Sequence, residues 1–287
     1  MGHPGRTGVR VFRQPFPEET TGTALRQLIG WLPPAAARRI GLPLASLSVF
    51  VLTWAYLSGH VINAHLLPPP EGVLRTAIPM AATGELLRNM AASLQRIAVG
   101  FIAGSLVGAI LGVLMARIRT FADFLDPVVQ LFRFLSPTAM IPIAVIWFGI
   151  GEISKYFLIF YATVFIVLIN TAAGALRTPE IRIRGAQSMG AGEKAVFLLV
   201  IIPSTVPYIL AGMRIALASA FMAIIPAEML AADSGLGFLL QQSGLLIQTN
   251  RIFVALAVIS ALGFLADLVF RVLTGLLLSR YTREEGG

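Results

Sequence analysis

The chain has 287 residues, of which 56% are hydrophobic and only 13% are charged, whereas a soluble domain carries about 25% charged residues. This charge content is too low to cover a water-facing surface, and several apolar stretches reach the roughly 20 residues that cross a bilayer as a helix. There are no cysteines, which excludes disulfide frameworks, cysteine-ligated zinc and thiol nucleophiles.

Residues 1–39 precede the first apolar stretch and are rich in Pro, Gly and Arg. No apolar segment follows the basic residues before about residue 40, so the pattern of a cleavable signal peptide is missing. We expect a cytoplasmic tail here, in which residues 22–32 could form a short surface helix. The predicted organisation is this tail, one membrane domain over residues 40–280 and a C-terminal cytoplasmic tail over residues 281–287.

Six apolar stretches predict an all-α integral membrane fold with six transmembrane helices. In chain order they cover residues 40–57, 94–116, 124–150, 156–176, 204–232 and 252–279. Basic residues dominate both tails and the loops after the second and fourth spans, whereas the other loops mix both signs of charge. By the positive-inside rule both termini are cytoplasmic, and the net charge of +8 reflects membrane topology rather than nucleic-acid binding.

Local patterns refine these spans. Three prolines at 68–70 prevent the first helix from continuing, and residues 84–95 are typical of an amphipathic lead-in to the second span. The second span places glycines four apart, at Gly100, Gly104, Gly108 and Gly112. The fifth span repeats the pattern with Gly212, Ala216 and Ala220. Small residues at this spacing predict close helix packing.

The third span is interrupted by Pro137 and Pro142. Prolines at membrane depth are tolerated where the freed carbonyls face protein or a water-lined path. Two interpretations are therefore open, a simple kink and a broken helix that lines a transport path.

The loop between the fourth and fifth spans is unusually long. It predicts a short polar helix over residues 179–189, stopped by Gly190, then a second helical turn from Glu193, with Pro203 ending the segment. Such a loop could dock into another protein, or it could lie on the lipid surface as an interfacial helix.

In this loop the chain resembles the permease subunits of bacterial ABC importers. Those proteins carry a cytoplasmic loop that begins Glu-Ala-Ala and continues with a glycine, two aliphatic residues and a proline at fixed spacing. Here Gly185 and Ala186, then Gly190, and finally Val200, Ile202 and Pro203 occupy those positions. The first position departs from the pattern, because Arg184 stands where the family has Glu.

Other segments are similar to the nitrate/sulfonate/taurine branch of that family. They include Leu-Pro-Pro-Pro at 67–70, Ser-Leu-Gln-Arg at 93–96, Leu-Asp-Pro at 125–127 and Arg-Phe-Leu-Ser-Pro at 133–137. Further examples are Ile-Trp-Phe-Gly-Ile-Gly-Glu at 146–152, Ala-Gln-Ser-Met-Gly at 186–190, and Ala-Glu-Met at 227–229 followed by Gly-Leu-Gly-Phe at 235–238. The likeness covers residues 43–280.

The resemblance implies that several different chains share the work of transport. The loop would dock in a groove of a cytoplasmic ABC ATPase, present in two copies, which binds ATP and Mg, while this chain binds no cofactor. The implied coupling residues are Gly185, Ala186, Gln187, Ser188, Met189, Gly190, Ala191, Glu193 and Lys194. A second permease copy, as a homodimer, and a periplasmic or lipid-anchored solute-binding protein complete the implied importer in the bacterial inner membrane.

Ionisable groups inside the spans are functional hypotheses by default. Asp267 and Arg271 are four apart and can pair, and Arg214 could reach the cytoplasmic interface by snorkelling. Arg133 and Glu228 could line a path that favours anions, or Arg133 could pair structurally with Glu228 or Asp126. The predicted path residues are Arg133, Ser136, Pro137, Thr138, Met222 and Glu228.

Two other classes of function have less support in the sequence. A self-contained secondary transporter would show an internal repeat with paired broken helices, and no convincing repeat is present. A membrane enzyme would need a motif such as HExxH or GxSxG, and neither occurs. The phosphate-binding loop GxxxxGK[ST] is also missing, so an ATP-driven mechanism needs its ATPase on another chain.

Overall fold

The computed structural model describes residues 35–278, and the regular elements in that range are helices. They are α1 (Ala35–His60), α2 (Pro70–Ala82), α3 (Glu85–Arg117), α4 (Arg119–Phe132), α5 (Ile141–Phe148), α6 (Glu152–Leu176), α7 (Glu180–Ser188), α8 (Glu193–Val196), a π-helix (Phe197–Ile201), α9 (Ile202–Ala231), α10 (Leu236–Leu245) and α11 (Thr249–Leu278). The contacts divide the chain into two units between Tyr56 and Leu57. The predicted helix at 22–32 and the two tail ends lie outside the described residues.

Within the described residues, five helices or helix runs are long and apolar enough to cross a membrane. They are Gly41–His60, Glu85–Arg117, Glu152–Leu176, Glu193–Leu230 and Thr249–Leu276. The predicted third span is not one of them, because it forms two short helices, α4 and α5, separated by irregular backbone. Pro137 has no amide hydrogen to donate and disfavours helical backbone at Ser136, so the helix stops before it.

Two further boundaries differ from the prediction. The predicted lead-in at 84–95 and the second span form one helix, so α3 begins at Glu85 rather than near residue 94 and runs unbroken for 33 residues. Pro203 does not end the segment before the fifth span, since the π-helix continues directly into α9. Pro203, the second residue of α9, lies just after the π-helix and has no amide hydrogen to donate to its carbonyl groups. The helices α2 and α10 were not predicted from the sequence.

The glycine ladder packs α3 against α6, as the spacing predicts. A methyl group on Gly100 would lie 2.6 Å from Cβ of Ile159, and one on Gly112 would lie 2.6 Å from the carbonyl oxygen of Leu168. Since real side chains do not approach so closely, only glycine allows this helix separation. Gly212 of α9 approaches Asn170 of α6 in the same way.

These contacts place α6 between α3 and α9 in the larger unit. The main hydrophobic core joins Ile97 and Phe101 of α3, Ile159 and Val167 of α6, and residues 216–224 of α9. A second core packs α5 against α6 and α9.

Candidate functional site

A cleft of about 460 Å³ opens beside the break between α4 and α5. Its walls are residues 133–138 of the break, residues 161–169 of α6 and residues 219–223 of α9. Five of the six path residues predicted from the sequence line it, namely Arg133, Ser136, Pro137, Thr138 and Met222. We call it the path cleft.

Arg133 supplies the positive charge of the path cleft. It follows α4 as its C-cap, and its guanidinium lies 4.7 Å from the ring centroid of Phe134. Among residues 35–278 no carboxylate forms an ion pair with it. The structural pairing of Arg133 with Glu228 or Asp126 is therefore not formed. An exposed cation among hydroxyl groups and apolar walls can attract a small anion.

Tyr161 fixes the backbone that carries this charge. Its hydroxyl donates a 2.6 Å hydrogen bond to the carbonyl oxygen of Phe132, the last residue of α4. The Tyr161 side chain is buried and its ring lies 5.3 Å from that of Phe165. The α6 helix thus holds the end of α4, and Arg133 with it, at the rim of the path cleft.

The sixth predicted path residue, Glu228, lies away from the path cleft. Its side chain is completely buried, and Oε1 accepts a 2.7 Å bond from Nη1 of Arg96. The other two nitrogens of Arg96 hold Glu152, at 2.7 and 2.8 Å, and Lys155 donates to the same carboxylate at 2.8 Å. We call Arg96, Glu152, Lys155 and Glu228 the charge cluster.

The charge cluster is neutral, with two cations and two carboxylates drawn from α3, α6 and α9. Burial of an ion is costly unless it is paired and hydrogen-bonded, and here each buried charge has such partners. Arg96 also donates 2.6 Å to the backbone oxygen of Ser234, in the segment between α9 and α10. The cluster therefore joins three long helices to that segment.

The same region caps the first turn of α10 with side chains from other helices. Asn89 accepts from the amide of Gly235, Ser93 from that of Leu236, and Glu228 from that of Gly237, at 2.8 to 2.9 Å. A helix begins with amides that lack partners within the helix, and a carboxylate there is favoured by the helix dipole. The Glu228 carboxylate thus binds both Arg96 of α3 and the first turn of α10.

Sequence reasoning missed Arg96, Glu152 and Lys155 as a group with Glu228. A signal was present, because Arg96 stands inside an otherwise apolar span and Glu152 and Lys155 have the i, i+3 spacing of a helical pair. The partner of Arg96 could not be read, since Glu228 is 132 positions away. The Asp267–Arg271 pair does form, at 3.0 Å, and Arg214 joins it instead of extending alone.

The nine predicted coupling residues lie at the end of α7, in the turn after it and in α8. Their side chains are exposed or half-buried, and Met189 is 85% exposed. Gly190 adopts a φ of +84°, which non-glycine side chains rarely adopt, and so turns the chain after α7. Arg184, at the position that departs from the family pattern, pairs with Glu180 at 2.5 Å within α7.

Comparison with known proteins identifies the family. Residues 104–279 match the family of binding-protein-dependent transport system inner membrane components. The chain belongs to this family. It is 36% identical over 243 residues to the taurine transport system permease protein TauC of Escherichia coli K12, covering 83% of this chain and 88% of that protein. It is 32% identical over 235 residues to the nitrate import permease protein NrtB of Synechocystis, covering 78% and 84% of the two chains.

A solved structure gives the same fold. The crystal structure of an amino acid ABC transporter with histidines superposes with a TM-score of 0.54 at 18% identity, covering 72% of this chain and 96% of that chain. The chain is therefore the membrane-spanning permease subunit of an ATP-driven importer, as the loop resemblance implied, and the secondary-transporter alternative is set aside.

Proposed function

We propose that the path cleft forms part of the translocation path for a small solute with an anionic group, and that Arg133 attracts that group. The observation that carries this proposal is the exposed guanidinium of Arg133 beside Ser136 and Thr138 in a cleft of about 460 Å³. This volume falls within the 300–1,000 Å³ typical of small-molecule sites. Taurine and nitrate, in the names of the two relatives above, both carry anionic oxygens.

The proposed membrane domain covers residues 40–280 and crosses the membrane six times, with α4 and α5 together as the third crossing. Its support is the placement of basic residues. Arg117 and Arg119 lie between α3 and α4, and Arg182, Arg184 and Lys194 lie between α6 and α9. Both sets belong on the cytoplasmic side by the positive-inside rule, which also places both termini there.

The proposed coupling element is α7 with the turn at Gly190 and α8. Its exposed polar surface, with Met189 projecting, would enter a groove of the cytoplasmic ATPase, where ATP and Mg are bound. We further propose two copies of this chain, two ATPases and an external solute-binding protein in the working importer, because one copy supplies few spans and no phosphate-binding loop.

Uptake of an anionic solute tests the path. In proteoliposomes with the complete importer, Arg133→Gln is expected to lower the uptake of a sulfonate or nitrate at least tenfold, because a hydrogen bond to a charged group contributes about 1.5–3 kcal/mol. Arg133→Lys, which keeps the charge, is the matched control and should retain most uptake. Full uptake by Arg133→Gln at normal expression would refute the proposal.

Co-purification tests the coupling element. Gly185→Trp is expected to release the ATPase from a tagged permease, because the added side chain projects from α7 into open space without disturbing the fold. Gly244→Trp in α10 is the control, since it also has open space around it and should retain the ATPase. Gly190→Trp should release the ATPase as well. Equal retention in all variants would contradict this role for α7.

A further inference from the structure

Three charged residues of α9 and α11 form a cluster separate from those described above. Arg214 donates from Nε to Oδ1 of Asp267 at 2.8 Å, and Nε of Arg271 lies 3.0 Å from Oδ2 of the same carboxylate. We call Arg214, Asp267 and Arg271 the charged triad. It joins two spans and is used neither by the path cleft nor by the coupling element.

The charged triad has more donors than its carboxylate can accept. Two guanidinium groups face one carboxylate, which leaves a net charge of +1. Within residues 35–278, no acceptor bonds the two terminal nitrogens of Arg271 or Nη1 of Arg214. A guanidinium is well suited to bind phosphate oxygens with such free N–H groups.

The surroundings of the charged triad are apolar and outward-facing. The side chains of Arg214 and Arg271 are 51% and 45% exposed. Next to them, Ile215 and Val272 are each 55% exposed. Where no partner subunit covers it, such a surface of a membrane span faces lipid, in which a net charge without a counter-ion is costly.

We infer the depth of the charged triad by placing the outer ends of α9 and α11 at the outer edge of the hydrocarbon core. A hydrocarbon core of about 30 Å takes about 20 helical residues. Counted from Ala231, the last residue of α9, the core ends near residue 212, and counted from Thr249, the first residue of α11, it ends near residue 269. Both counts place the triad at the same edge of the core, which in the proposed orientation is the cytoplasmic edge.

We propose that the charged triad binds the phosphate of an anionic phospholipid in the cytoplasmic leaflet. The lipid phosphate lies at this depth, its charge neutralises the triad, and its acyl chains cover the apolar side chains around it. The proposal rests on the proposed membrane orientation but not on the path cleft or its substrate. Asp267 holds the two arginines in register and limits their combined charge.

Spin-labelled phosphatidylglycerol in phosphatidylcholine vesicles that contain the complete importer tests this site. The immobilised fraction of the label, compared with labelled phosphatidylcholine, measures selectivity for the anionic lipid. Arg214→Gln/Arg271→Gln is expected to lower that selectivity about thirtyfold at this site, which corresponds to about 1 kcal/mol for each arginine. Arg75→Gln, which removes a more exposed arginine that is paired with Glu71 in α2, is the control and should not change it.

Two further measurements separate lipid binding from poor folding of the double variant and from binding of free phosphate. Asp267→Asn keeps both arginines and removes the competing carboxylate, so it should retain or increase the selectivity even if the double variant is poorly folded. Inorganic phosphate should not displace the labelled lipid, because it lacks acyl chains. Unchanged selectivity in the double variant, loss of selectivity in Asp267→Asn, or displacement by phosphate would each overturn the proposal. An uptake defect in Arg133→Gln has no bearing on these outcomes.

Discussion

Removal of the negative charge at Glu228 should destabilise the protein far more than removal of any surface carboxylate. In Glu228→Gln the side chain keeps its size, but its amide nitrogen must face Arg96, Ser93 or the amide of Gly237, which are all donors in the native arrangement. Loss of one partner from a buried ion pair costs about 3–5 kcal/mol. Because Arg96 keeps both bonds to Glu152, we expect a loss of about 3 kcal/mol.

The free energy of unfolding, measured by denaturant titration in mixed micelles, checks this value. Glu71→Gln is the control, because Glu71 forms an exposed i, i+4 pair with Arg75 and should change the free energy by only about 0.5 kcal/mol. In a double-mutant cycle, Arg96→Gln and Glu228→Gln should couple by about 1–3 kcal/mol. Equal losses in Glu228→Gln and Glu71→Gln, or no coupling in the cycle, would refute the reasoning.

Two other positions give distinct results in the same titration. Gly108→Ala should cost about 1–3 kcal/mol, because its methyl group would lie 2.5 Å from the carbonyl oxygen of Val164, whereas Gly275→Ala, with open space around it, should be neutral or stabilising. An equal effect at both glycines would contradict the close-packing interpretation. Asn89→Ala should cost about 1 kcal/mol by leaving the amide of Gly235 without its acceptor, and faster hydrogen exchange of that amide would locate the effect.

Sequence patterns predict local features of this protein well. The glycine spacing in α3 predicts the contact with α6, and Gly190 predicts the end of α7, because each depends on steric rules that operate over a few residues. The same steric rules apply at Pro137, but they predict only that the third span is interrupted there. Whether α4 and α5 continue in one direction depends on the packing of α5 against α6 and α9, which no local pattern encodes.

The charge cluster, in contrast, could not be predicted from local sequence patterns. Glu228 follows Pro226 in an apolar span, and both a path residue and a structural ion were consistent with that position. The choice depends on Arg96, which comes from another helix and reaches Glu228 only after α3, α6 and α9 have packed together. Residues 133–138 are contiguous, so four of the five predicted residues that line the path cleft could be grouped from sequence, whereas Met222 and Glu228 lie in the same helix and no local pattern separates them.

The unbroken helical run from Glu193 to Leu230 has a mechanical consequence. Its 38 residues span about 57 Å, from the turn at Gly190 to the buried carboxylate of Glu228. Over that length, a tilt of about 5° about one end displaces the other end by about 5 Å. The π-helix at Phe197–Ile201 and the prolines Pro207 and Pro226 each interrupt the regular α-helical hydrogen bonding, so the run bends more readily at these positions than a regular α-helix does.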